Sequence, residues 1–166
     1  MTISTTTTKN SYSGNNSTTE FAYTFPINST SEITVIERSA TGTETVKSEG
    51  SGSTNYSISD NGAAGGTITM VTAPATGTTL VILRNTDLTQ STDLVANDPF
   101  PAETNEAAFD KLQMQIQEVQ EELDRSIKLS RTNTMSSTDF TTSATDRASK
   151  ILAFDSSGEI SVTQEL

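Results

Sequence analysis

The sequence has no cysteine, no histidine and no tryptophan. Without cysteine there is no disulfide framework, iron–sulfur cluster or thiolate zinc site. Without histidine the commonest general base and the commonest transition-metal ligand are gone, and serine, cysteine and zinc hydrolases of the usual kinds go with them. Basic residues are scarce, 10 against 21 acidic ones, for a net charge of −11. A nucleic-acid binder needs a basic footprint, and an anionic membrane surface repels such a chain. Neither partner is expected. Long hydrophobic runs are missing too: the longest strongly apolar one, Leu80–Leu83, is far too short to span a bilayer. The opening Met1-Thr2-Ile3-Ser4-Thr5 has no basic region followed by an apolar one, so it does not read as a secretory signal. Hydrophobic residues make up 32%, below the about 45–50% of an ordinary globular domain.

What the chain has in quantity is Thr and Ser, roughly a third of its residues. Its 166 residues are enough for one domain, or for a small domain with an extension. Residues 1–97 are rich in Thr, Ser and Gly, with short alternating runs. Phe21, Tyr23 and Phe25 stand two apart, and so do Ile33 and Val35, Tyr56 and Ile58, and Ile68 and Met70. Period two places each set on one face of a strand. The unbroken Leu80–Leu83 reads as a strand buried on both faces. Turn chemistry falls between these runs, at Asn28–Ser31, Thr41–Gly42, Asp60–Gly66 and Ala73–Gly77. The pattern predicts a small antiparallel β-sandwich or barrel, of which the sandwich is preferred. Ser4–Thr8 reads as a flexible polar arm.

Residues 98–130 change period. Phe109, Leu112, Ile116, Val119 and Leu123 are spaced 3, 4, 3, 4, the a/d seam of a coiled coil. Polar residues fill the other sides, and Glu118, Glu121 and Glu122 read as a solvated face. Pro99 and Pro101 fit only near the helix start, with Asp98 as a cap. A helix over about 102–130 runs roughly 40 Å. Alone it is marginal, so the seam must be covered. It either docks on the chain's own sheet or associates with copies of itself. The narrowness of the stripe favours self-association, and the residues at a and d leave the number of copies open. Residues 131–166 return to Ser and Thr, with two short strands around a turn at Asp155–Gly158. Ile151, Ala153, Ile160 and Val162 there could meet neighbouring chains. The expected fold is mainly β: a small antiparallel sandwich, a long coiled-coil helix and a short β C-terminal segment.

Other chemistry has weak support. Gly62–Gly66 lacks the Gly-Lys-Ser/Thr ending of a phosphate loop and precedes a strand-like run, so it reads as a turn. Asp87, Asp93, Asp98 and Asp110 lack the spacing of a calcium loop. No catalytic residue, cofactor or metal site is assigned, and the chain does not read as an enzyme. Arg84, closing the apolar strand, reads as a sheet-edge salt bridge.

An ordered series of pieces resembles a known family. Phe21–Ile27 is followed by Ile33–Ile36, Asn55–Ile58, Gly65–Met70, Ala73–Gly77 and Leu80–Arg84. Leu88–Leu94, Pro99–Glu103 and the helix through Arg125 complete it. Together they resemble the N-terminal, virion-attachment domain of tail fibres from T7-like short-tailed bacteriophages (podoviruses), including marine podophages. The resemblance implies a structural virion protein of the phage tail. It implies a homotrimer bound to the tail adaptor and nozzle proteins, with the distal fibre recognising the host. Complete fibres are several times longer. The chain then reads either as the N-terminal piece of a fibre or as a short adaptor that docks a separate receptor-binding protein. From a different class, a carbohydrate-binding adhesin module would need exposed aromatics over a shallow groove.

Overall fold

The computed structural model describes residues 3–60, 65–94, 101–136 and 142–163. The expected boundary at 97/98, the Asp98 cap, Pro99 and the first part of Gly62–Gly66 lie outside the described residues. The chain divides into two compact units, Met1–Ser126 and Ile127–Leu166.

Among the described residues of the first unit, seven strands form two antiparallel sheets. They are β1 (Lys9–Ser13), β2 (Glu20–Tyr23), β3 (Ile33–Arg38), β4 (Glu44–Lys47), β5 (Tyr56–Asp60), β6 (Gly66–Met70) and β7 (Thr79–Arg84). One sheet has the order β1, β7, β3, β4 and the other β2, β6, β5. Period two decides which side chains enter the core. Val35, Leu80 and Ile82 from the first sheet, and Phe21, Tyr23, Ile68, Met70 and Tyr56 from the second, join one buried cluster. Phe25 and Ile27, just beyond β2, complete it. The two sheets therefore share a single core, as in a sandwich.

Two expectations need correction here. Leu80–Leu83 is not buried on both faces: Leu80 and Ile82 are fully buried, while Val81 and Leu83 are half-exposed on the other side. An antiparallel sheet covered on one face behaves this way. The Ser4–Thr8 arm is not loose. Thr8 is buried and its carbonyl accepts from the Arg84 N–H at 3.0 Å, which carries the pairing of β1 with β7 one residue beyond the strand.

Gly65 and Gly66 serve packing. Gly65 has φ +88°, and a Cβ there would lie 2.0 Å from the Tyr23 carbonyl oxygen. One on Gly66 would lie 1.9 Å from that of Ser59. The glycines let β6 approach its neighbours, a role unrelated to phosphate.

After the sandwich comes one long helix, α1 (Ala102–Asp124), of 23 residues. It stops six residues short of the expected end at 130, where the apolar spacing has already loosened. Its cap is Pro101, whose carbonyl accepts from the Asn105 N–H at 3.0 Å. Among its described residues the second unit holds a single turn of helix, α2 (Ala144–Arg147), and a hairpin of β8 (Ile151–Phe154) and β9 (Ile160–Thr163). Asp155 organises the turn: its carboxylate accepts from the N–H of Ser157 at 2.8 Å and of Glu159 at 3.0 Å, and Gly158 adopts φ +81°. The register sets Leu152 opposite Val162 and Phe154 opposite Ile160. Ile151 and Ala153 therefore face away from Ile160 and Val162.

Ile82 lies at zero exposure in the middle of the four-stranded sheet. Replacing Ile82 with Ala is expected to lower stability by about 2–5 kcal/mol, read as a shift of the urea midpoint at unchanged slope.

Candidate functional site

The chemistry of the first unit concentrates where α1 crosses the mouth of the sandwich. Arg84 ends β7 on the same face as Leu80 and Ile82, so its side chain points inward and is 2% exposed. A buried guanidinium must satisfy its donors. Nε donates to Glu118 Oε1 at 2.7 Å, and Nη1 to the Pro26 carbonyl at 3.2 Å. Nη2 donates to the Met114 carbonyl at 3.2 Å and to Gln117 Oε1 at 2.9 Å. The Glu118 carboxylate also accepts from Thr86, at 3.0 Å from the N–H and 2.6 Å from the hydroxyl. Arg84 is thus an ion-pairing residue, but not at a sheet edge. β7 is an inner strand, and its arginine clamps the helix.

Further polar contacts lie along the same side of α1. Gln115 donates to the Asp87 carbonyl at 2.8 Å, Gln117 to the Thr5 carbonyl at 2.8 Å, and Lys111 to the Thr89 carbonyl at 2.5 Å. Lys9 of β1 pairs with Glu121. Met114 is fully buried, and its sulfur accepts from the Asn28 amide at 3.5 Å. Glu118 and Glu121 therefore belong to the docked side, and of the three glutamates read as solvated only Glu122 is exposed.

The helix is docked the opposite way from an ordinary amphipathic one. With Phe109, Ile116 and Leu123 at a and Leu112 and Val119 at d, the docking residues Lys111, Met114, Gln117, Glu118 and Glu121 fall at b, c and f. The five stripe residues stand on the other side, between 49% and 68% exposed. Leu88, from the loop after β7, adds another exposed apolar side chain beside them. Thus α1 does lie on its own sandwich, but by its polar face, and the stripe stays uncovered.

Asp87 accepts from both the N–H and the hydroxyl of Thr89, each at 2.9 Å, and these bonds hold its carboxyl below the usual range. It does not gather with other acids: among the described residues no group of three or more potential metal ligands comes together. Asp98 lies outside the described residues. Phe21, Tyr23, Phe25 and Tyr56 are core rings rather than a sugar-binding platform.

No family model matches the chain. Over 124 residues the chain is 38% identical to the tail spike protein of Salmonella phage epsilon15, a match that covers 72% of this chain. The chain spans about a tenth of the length of that curated relative, of which the match covers 11%. The likeness indicates a phage tail component.

Two outcomes test the docking network. Removing Arg84 takes away the ion-pair partner of Glu118, itself partly exposed. Arg84→Met leaves Glu118 still bonded to Thr86, so it is expected to cost about 1–3 kcal/mol and to speed amide exchange in α1 more than in β3. Glu121 is pulled upward by partial burial, but Arg125 and Lys9 outweigh this and leave its pKa below the ordinary carboxylate value. Its ionised form is therefore favoured by folding. The stabilisation is complete above about pH 4.3, the unfolded value, and disappears as pH falls through the lower folded value. Thermal midpoints of wild type and Glu121→Gln should differ at pH 7 and converge in acid.

Proposed function

We propose that the chain is the attachment region of a phage tail fibre or spike, of the kind found in T7-like short-tailed phages. Three copies associate through Phe109, Leu112, Ile116, Val119 and Leu123 into a parallel coiled coil. The sandwiches bind the tail adaptor and nozzle proteins, and sequence beyond the hairpin carries the distal, host-contacting part. No catalytic step is assigned to the chain.

One observation carries this reading: α1 is docked on the sandwich through b, c and f, with Gln115 at g bonded to the loop after β7, and exposes a and d. In a bundle those outer positions face away from the axis, so each helix can hold its own sandwich and still pack against its neighbours. Full burial of each stripe residue contributes roughly 1.5–3 kcal/mol. An uncovered strip of this length is unusual on a monomer. The number three follows from the family resemblance, since residues at a and d suit more than one bundle. The likeness to the tail spike agrees with a virion role. Binding several tail sites at once makes a modest affinity per copy sufficient.

A second reading, a short adaptor that docks a separate receptor-binding protein, draws on the exposed Leu152 and Phe154 of the hairpin. The adhesin reading has less behind it, because Phe21, Tyr23, Phe25 and Tyr56 of the sandwich are buried.

Ile116→Asp combined with Val119→Asp places charge in the stripe and leaves the docked face untouched. The variant is expected to be folded, monomeric by light scattering and absent from phage tails in electron micrographs. The unaltered chain is expected near three times its mass of 17.7 kDa. Normal tail decoration by the variant overturns the reading.

A further inference from the structure

Leu88 belongs to neither the core nor the heptad. It is 82% exposed, and a single exposed leucine is ordinary. The loop around it is not, because it is fixed from both sides. Asp87 holds Thr89 in a tight turn, and the carbonyls of residues 87 and 89 accept from Gln115 and Lys111 of α1. Leu88 is thereby held against the flank of the helix. With Leu112, Ile116, Val119 and Leu123 it lines one groove of about 380 Å³.

The heptad tells which flank this is. Gln115 and Glu122 are at g, and Gln113 and Gln120 are at e. Parallel coiled coils commonly use charge pairs between g of one helix and e of the next to set register and partner. Here both e residues are uncharged and exposed, and Gln115 at g already bonds its own loop. The usual charge pair is missing, and Leu88 stands in its place. The identity of the partner follows from charge. Two chains of net charge −11 can approach closely only along a neutral surface. The strip of Leu88, the stripe and the e glutamines is such a surface, bordered on the g side by Glu122, and an apolar strip of this kind can face a second copy of itself.

We propose that Leu88 is an intermolecular knob, seated in the assembled protein against the neighbouring copy's helix on its e flank, beside Gln120. The contact rests on the self-association reading and adds to it a residue from outside the helix. It makes the loop after β7 part of the next chain's packing and ties the sandwich of one copy to the helix of another. An apolar side chain on a fixed loop also selects one axial register, which two heptads alone specify weakly.

The chain has no cysteine, so the single variants Leu88→Cys and Gln120→Cys each carry one thiol, and any disulfide they form joins two chains. The two are co-expressed with different tags, oxidised mildly and compared on non-reducing gels with each variant alone. The expected result is a mixed disulfide well above the background of either single variant. In sedimentation equilibrium, Leu88→Ser is expected to weaken association by about tenfold or more, and Leu88→Met to restore it. An oligomeric wild type with no mixed disulfide, and with unchanged association of Leu88→Ser, overturns the knob and leaves the helix stripe standing. A mixed disulfide no stronger than that of Leu88→Cys alone also overturns it, since the leucines would then meet each other. A wild-type chain that is monomeric at every concentration overturns both the knob and the self-association on which it rests.

Discussion

A helix with an apolar stripe beside an apolar core would, under the hydrophobic effect alone, roll until the stripe was covered. The ion pair of Arg84 and Glu118 is what opposes that rotation. Apolar attraction is non-directional, whereas a guanidinium with four hydrogen bonds accepts one orientation of its partners. The energetic case for a buried ion pair is usually thin, because desolvation offsets the attraction. Its value here is geometric. Arg84 reaches Glu118, Gln117 and the Met114 carbonyl together, and no other rotation of the helix offers all three. The exposure of the stripe and the position of Leu88 both follow from that constraint.

The sandwich core was legible because its strands obey period two with large side chains. Phe21 and Tyr23, and Ile68 and Met70, read correctly, whereas the unbroken run Leu80–Leu83 concealed that only Leu80 and Ile82 enter the core. The edge strands β1 and β4 were not. Lys9–Ser13 has one large apolar residue, Tyr12, and Glu44–Lys47 has Val46, which is exposed. A strand with a single large apolar residue leaves little trace in hydropathy, whereas β2 and β5, which also lie at a sheet edge, carry Phe21, Tyr23 and Tyr56 into the core. The hairpin was legible for a different reason: an Asp at the start of the turn and a Gly near its end encode it locally.

The docked side of α1 was the least legible part. Glutamates and glutamines at b, c and f are what a solvated coiled-coil surface also carries, and the residues that bind them lie far away in sequence. Arg84 and Glu118 are 34 positions apart. One signal was present: Met114 is a large apolar side chain at an f position among glutamines, and it is the buried residue of the helix. An apolar residue on the wrong side of a heptad marks a second contact surface. The stripe itself was read from spacing, and the structure adds which way it points.

The docking contacts run from Lys111 to Glu121, about 15 Å of helix at ~1.5 Å per residue. They lie side by side along the axis rather than at one end. Tension applied beyond Ser126 and directed along α1 therefore loads them together, in shear. Bonds loaded in shear share the force and give way as a group, whereas bonds peeled from one end fail in turn. The lateral ladder of polar contacts makes the joint between helix and sandwich a mechanical coupling, strong along the helix axis and weak only to a pull that lifts the helix away.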